Sequence, residues 1–172
     1  QLVGHLAWAT FLFQDLVHRR LDGLNPFSNA DAVYAGSHDD AALNADVQRF
    51  AADSMAVARL AYDADLSGLI VAPTIAIHGK YDPVAFVSNQ AAYRDRVATA
   101  GRSDLLVQTF TNEAEHSALS APEYVAVFDA LMEWIEQGRK PDARSVNHLC
   151  ERARSRYNQP CLFDEGFVPD VR

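Results

Sequence analysis

The chain has 172 residues, of which 49% are apolar and 22% are charged. A chain of this size and composition can bury most of its extended surface in one core, which argues against intrinsic disorder. Its net charge is −8, and no basic cluster is long enough to bind the phosphates of a nucleic acid. No apolar run approaches the ~20 residues of a membrane-spanning helix. We therefore expect a soluble protein with neither a nucleic-acid nor a membrane partner.

The first residue is Gln1, which lies within an apolar pattern, whereas an unprocessed translation product begins with Met. We therefore expect a further segment upstream of Gln1. Removal of a signal peptide, cleavage of a precursor into two chains and truncation all predict this start, and the sequence does not choose among them.

Residues 1–65 are predicted to be helical, with one long loop. Apolar residues follow helical spacing from Leu6 to Gly23, which predicts the first helix. Residues 24–42 are rich in Asn, Asp, Gly and Ser and are predicted to form the loop. A second helix is predicted from about Ala42 to Tyr62, because its apolar residues share one broad face.

Strands and helices are predicted to alternate in the next part of the chain. Residues 69–77 and 105–110 are apolar and nearly uncharged, which is typical of strands buried on both faces of a parallel sheet. A helix is predicted over 86–100, and another from the capping box of Ser120 and Glu123 to Gly138. The buried face of that last helix is predicted to carry Tyr124, Val127, Phe128, Leu131, Trp134 and Ile135.

This order of elements predicts an α/β fold with parallel strands joined by right-handed crossovers. Two strands are too few for a stable parallel sheet. We therefore expect the upstream segment, or a separate chain cut from the same precursor, to supply the remaining strands.

Each predicted strand is followed by a loop that carries one residue of chemical interest. Asp82 follows the first strand in the turn Gly79-Lys80-Tyr81-Asp82-Pro83, and His116 follows the second strand. If the strands are parallel neighbours, both residues lie at the same edge of the sheet. A carboxylate beside an imidazole selects one tautomer and stabilises the imidazolium, which makes a base able to activate a nucleophile.

The segment from Pro73 to Val84, followed by a helix, a strand and His116, resembles the C-terminal third of an α/β-hydrolase. The chain order in that family is nucleophile, acid, histidine, with the acid after the penultimate strand and the histidine after the last. The resemblance covers roughly residues 66–138. It implies that Asp82 is the triad acid and that His116 is the general base.

The same resemblance implies an organisation for the whole chain. Residues 1–65 would be a helical lid or cap segment, residues 66–140 the C-terminal part of the hydrolase core, and residues 141–172 an additional tail. This tail holds Cys150 and Cys161, the only two cysteines. A disulfide between them suits a secreted or periplasmic protein, and two free thiols suit a cytoplasmic one.

Two features depart from the family pattern. Glu113, Ala114 and Glu115 precede His116 where the family often has a glycine, and we predict that both glutamates are solvated loop charges. No Gly-x-Ser-x-Gly sequence is present; the nearest, Ala35-Gly36-Ser37-His38-Asp39, lacks the second glycine. We therefore expect the nucleophilic serine and the oxyanion hole to lie in the upstream segment, and this chain to be inactive alone.

The expected reaction is cleavage of an ester, amide or peptide bond in a small molecule or peptide. His116 would take the proton of the upstream serine, and Asp82 would stabilise the resulting imidazolium. The histidines and acidic residues lack the spacing of zinc or calcium ligands, so we predict no metal and no other cofactor.

Other functions remain open on the same fold. An acyltransferase would use the same triad, and a dehalogenase or epoxide hydrolase would carry an upstream Asp nucleophile. The chain is also compatible with a non-catalytic, hydrolase-like binding module, or with an interaction domain that folds alone.

Overall fold

The protein, as a computed structural model, is described for residues 2–170. It divides into two compact units, Gln1–Asp65 and Leu66–Arg172. None of the helices within the described range has the length and apolar character needed to cross a bilayer. The secondary-structure elements are α1 (Leu2–Gln14), α2 (Asp40–Asp46), α3 (Ser54–Ala64), β1 (Thr74–Gly79), α4 (Ser88–Thr99), β2 (Leu106–Thr111), α5 (Ala121–Gln137) and α6 (Ala143–Tyr157).

The first unit begins with the predicted helix, which continues beyond α1 as a π-helical stretch over Asp15–Arg20. The helix ends where Gly23 adopts a left-handed backbone with φ of 85°. The chain between this point and α2 contains no regular element, as the sequence predicts.

The segment predicted as one helix from 42 to 62 is two helices, α2 and α3, so this prediction is wrong. Long-range polar contacts hold the stretch between them outside helical geometry. The Asn29 side chain accepts a hydrogen bond from the Phe50 N–H at 2.6 Å, and Arg49 donates to the Asn29 carbonyl at 2.8 Å. Asp53 then starts α3 as an N-cap, because its side chain accepts hydrogen bonds from the first backbone N–H groups of that helix.

In the second unit, β1 and β2 pair in parallel, with Thr74 opposite Leu106 and Gly79 opposite Thr111. The predicted α/β character is confirmed at this level: helices alternate with strands, and the described residues form a two-stranded parallel sheet. The predicted start of the first strand is wrong, because residues 69–73 are outside it. Pro73 has no N–H to donate to a ladder. β1 is only partly buried, rather than covered on both faces as predicted.

Helix α5 begins and ends as predicted. Ser120 and Glu123 form the capping box, and Gly138 ends the helix with a left-handed backbone, φ 69°. The predicted buried face is wrong for Tyr124, Phe128 and Ile135, which are exposed, and is confirmed for Trp134, which is buried. The buried residues of α5 are Pro122, Glu123, Ala126, Ala130 and Trp134.

Helix α6, in the tail, determines which side of α5 is buried, because it packs against α5. Val146 and Cys150 of α6 are fully buried against Ala126 and Ala130 of α5, and small side chains let two helices approach closely. Of the two alternatives for the cysteines, the structure contains the disulfide: Cys150 is bonded to Cys161, with their Cα atoms 6.0 Å apart. A disulfide is consistent with an extracellular location.

Beyond α6 the chain returns to the end of the sheet. Phe163 forms an isolated antiparallel bridge with Thr111, the last residue of β2. The Asn112 N–H also donates to the Leu162 carbonyl at 2.8 Å. The tail therefore lies against the point where the chain leaves β2.

Candidate catalytic site

The loops that follow β1 and β2 continue side by side after the strands end. The Lys80 N–H donates to the Thr111 carbonyl at 2.9 Å, and the Tyr81 N–H donates to the Glu113 carbonyl at 3.3 Å. Gly79 allows this approach, because a Cβ atom at this position would stand 3.1 Å from the Glu113 carbonyl oxygen. Backbone hydrogen bonds thus connect the two loops at positions that precede Asp82 in one loop and His116 in the other.

Asp82 is held by the backbone of its own loop. Its Oδ1 accepts hydrogen bonds from the N–H groups of Val84 at 2.8 Å and Ala85 at 2.9 Å, and its side chain is only 9% exposed. Burial is the largest single influence and raises the pKa of the Asp82 carboxyl. The hydrogen bonds from Ala85, Val84 and His116 together outweigh it, so the pKa lies below the usual aspartate value.

His116 meets Asp82 directly. Its Nδ1 lies 2.9 Å from Oδ2 and 3.1 Å from Oδ1 of the carboxylate. An ionised carboxylate accepts hydrogen bonds only, so Nδ1 carries the proton and donates it. Within residues 2–170, no hydrogen bond engages Nε2, and the His116 side chain is 49% exposed. In its neutral form the ring therefore leaves the unprotonated Nε2 without a hydrogen-bond partner among residues 2–170.

The residue after His116 has an unusual backbone. Ser117 has φ of 58°, in the left-handed region that a residue with a Cβ seldom adopts. Such a conformation costs about 1–3 kcal/mol and occurs preferentially at functional sites. The turn that presents His116 therefore contains a residue in an unfavourable backbone conformation.

The two glutamates before His116 differ in their surroundings. Glu115 is exposed, as predicted, whereas Glu113 is partly buried, so its prediction as a solvated charge is wrong. Burial, together with the negative charges of Glu123 and Glu115, raises the pKa of Glu113 above its ordinary value. Among the described residues, neither Glu113 nor Glu115 forms a hydrogen bond with His116.

Three further residues adjoin the site and were not predicted from the sequence. The ammonium of Lys80 donates to Asp164 Oδ2 at 2.5 Å and to Asn112 Oδ1 at 3.0 Å. The hydrogen bond to Asp164 is the main reason that the pKa of Lys80 is raised, and the same bond lowers the pKa of Asp164. Lys80 is only two positions from Asp82 in the sequence, which could have suggested a role at the site. No local sequence pattern predicts its contact with Asp164, which is 84 positions away.

Ser37, the serine in the sequence nearest to a nucleophile motif, does not lie between a strand and a helix. Ser37 lies in the loop before α2, where its hydroxyl donates to Asp40 Oδ1 at 2.6 Å. In the part of the chain that the structure describes, no group of three His, Cys, Asp or Glu side chains is placed to hold a metal ion.

A groove of about 700 Å³ adjoins Asp82, lined by Tyr81, Phe86 and residues 167–170, among others.

Comparison of this chain with protein-family models, with curated proteins and with solved structures gave no match. The function is therefore argued from the geometry of Asp82 and His116.

Proposed function

We propose that this chain is the C-terminal part of a serine-type α/β-hydrolase that acts outside the cytoplasm on an ester, amide or peptide bond. The observation that carries the proposal is the 2.9 Å contact between Asp82 Oδ2 and His116 Nδ1. This contact lies at the carboxyl edge of two paired parallel strands, where open α/β sheets place their sites. The order along the chain, acid loop then histidine loop, is that of the α/β-hydrolases.

In this mechanism His116 acts as the general base. Its exposed Nε2 takes the proton of a serine hydroxyl as the oxygen attacks the substrate carbonyl, and it later gives that proton to the leaving group. Asp82 keeps the proton on Nδ1 and stabilises the imidazolium during the transfer. The serine and the oxyanion-hole donors come from an N-terminal segment of the same protein, and residues 1–65 correspond to the family's cap segment.

The surroundings of Asp82 suit this role. Because its pKa is low, the carboxylate is ionised at neutral pH and remains so when the neighbouring imidazole gains a proton. Its position under the Val84 and Ala85 N–H groups fixes the oxygens that face His116. Because the Asp82 side chain is only 9% exposed, the carboxylate is partly shielded from water on its side of the pair.

The disulfide supports the proposed compartment. Cys150 and Cys161 are bonded, and such bonds persist in secreted and periplasmic proteins but are rare in the cytosol.

Activity of the protein carrying its upstream segment tests the proposal. A fluorophosphonate should label one serine, and activated esters should be hydrolysed. Asp82→Asn and His116→Gln should each lower turnover by ~10⁴-fold. Asp129→Asn and His148→Gln serve as matched controls on exposed positions of α5 and α6, and both should retain full activity. Near-normal turnover in the Asp82 and His116 variants would refute the proposal.

The same experiment separates the alternative functions. Labelling without release of the acyl group to water, but with transfer to an added alcohol or amine, identifies an acyltransferase. Hydrolysis of a halide or epoxide that the fluorophosphonate does not block identifies an Asp nucleophile. A folded protein that neither reacts with the fluorophosphonate nor turns over any of these substrates is a binding module.

A further inference from the structure

We infer that the C-terminal segment 160–170 is part of the candidate site, because it positions Asp82 and His116 through the linked side chains of Lys80, Asn112 and Asp164. We call these three residues the Lys80 cluster. None of them touches the reacting atoms, so they are positioning residues. The inference rests on the proposed function, and it extends the site to a part of the chain that lies outside the hydrolase resemblance.

The tail binds the outer edge of β2 at the point where the histidine loop begins. The Asp164 N–H donates to the Phe110 carbonyl, and the Asn112 N–H donates to the Leu162 carbonyl, both at 2.8 Å. The carbonyl of Thr111, which lies between these two residues in the chain, accepts a hydrogen bond from the Lys80 N–H at the opposite edge of β2. Successive residues of a strand direct their hydrogen bonds to alternate edges, so the end of β2 lies between the acid loop and the tail. The tail therefore sets the direction in which the chain leaves for His116.

The ammonium of Lys80 joins all three segments. Lys80 belongs to the acid loop, two positions before Asp82; Asn112 opens the histidine loop; and Asp164 belongs to the tail. The Lys80 side chain is only 12% exposed, and its ammonium lies 4.8 Å from the ring centre of Phe167, also in the tail. A charge-assisted bond in so sheltered a position is stronger and more directional than a surface ion pair.

The tail is itself fastened close to these contacts. Cys161 is bonded to Cys150 of α6. The next residue, Leu162, donates its N–H to Oε1 of the fully buried Glu123 at 2.9 Å. Oε2 of the same carboxylate accepts from the Ser120 N–H at the start of α5, at 2.8 Å. One carboxylate thus anchors the tail to the far end of the histidine loop, while Asn112 anchors it to the near end.

This arrangement has a consequence for catalysis. The loop between Asn112 and Ser120 contains no helix or strand, so the position of His116 depends on what holds the two ends of the loop. A displacement of about 1 Å in a reacting group can lower the rate by about 10²-fold. Removing the Lys80 contacts should therefore lower kcat by about 10- to 100-fold, with a smaller change in KM, because the cluster acts through the position of His116.

The test uses the full protein with its upstream segment and four variants. Lys80→Met and Asp164→Asn should lower kcat, whereas Lys80→Arg, which keeps the charge and the donors, should restore most of it. Lys140→Met is the matched control, because Lys140 instead donates to the Ser103 carbonyl; it should leave kcat and KM unchanged. Asp164→Asn changes a single side-chain atom, so it provides the same comparison if Lys80→Met does not fold.

A second measurement does not depend on activity. The ¹⁵N resonances of the His116 ring report which nitrogen carries the proton. In the wild type and in Lys140→Met they should indicate a single tautomer protonated at Nδ1, and in Lys80→Met a mixture. Unchanged ring resonances and unchanged kcat in a folded Lys80→Met protein would overturn the inference. If the ring resonances change but Asp82→Asn and His116→Gln keep full activity, the positioning is correct and the proposed function is wrong.

Discussion

Reduction of the Cys150–Cys161 disulfide is expected to destabilise the second unit by an amount that the structure defines. The bond joins residues 11 positions apart. In the chain-entropy model, closing a loop of this length removes about 9 cal/mol/K from the unfolded state, which corresponds to about 2.8 kcal/mol at 25 °C. With a typical urea dependence of about 1–3 kcal/mol/M, the unfolding midpoint should fall by about 1–3 M.

Urea unfolding of the wild type with and without a reductant measures this difference without changing any side chain. The matched control is the Cys150→Ala/Cys161→Ala double variant, whose midpoint should not respond to the reductant. The double variant should be less stable than the reduced wild type, because Cys150 is fully buried and its truncation leaves a gap between α5 and α6. A change below about 0.5 kcal/mol on reduction would refute the loop-entropy argument.

Two further predictions concern backbone space and pH. Gly68→Ala should destabilise the fold by about 1–3 kcal/mol more than Gly101→Ala. The two glycines have nearly the same φ, 70° and 67°, but only at Gly68 would a Cβ atom stand 2.8 Å from Val97 N and closer still to the Arg96 carbonyl. Equal shifts of the thermal midpoint in the two variants would contradict this reasoning. Because the folded-state pKa of Asp82 is lowered, its ionisation stabilises the fold above the unfolded aspartate value of about 3.9 and loses this effect as the pH falls through the lower folded value. The stability difference between wild type and Asp82→Asn, measured by urea unfolding, should therefore shrink between about pH 5 and pH 2; a constant difference would show that the carboxyl is not held in its charged form.

Local signals account for the parts of the fold that the sequence predicts. The capping box at Ser120 and the left-handed Gly138 define α5 without reference to the rest of the chain. The predictions fail where distant contacts decide. Asn29 and Arg49 hold the chain open between α2 and α3, and α6 determines that Ala126 faces inward while larger side chains of α5 face outward.

In the candidate site, too, some features follow from the local sequence pattern and others depend on distant contacts. The meeting of Asp82 and His116 follows from two strand ends and the parallel pairing that the order of elements predicts. The contact between Lys80 and Asp164 could not be predicted from the sequence, because it depends on the tail returning to the edge of β2. Glu113 likewise lies beside Gly79, a contact between the histidine loop and the end of β1 that no local signal predicts.

The pairing of the tail with β2 also sets an order of assembly. Residues 161–164 leave the ribosome after both site-bearing loops, and the bond that fastens them forms only where an oxidant is present, over seconds to hours. A newly made chain in a reducing compartment would thus have this outer support without the covalent bond that fastens it. For the proposed extracytoplasmic enzyme, the bond that fastens the tail would then form only after export.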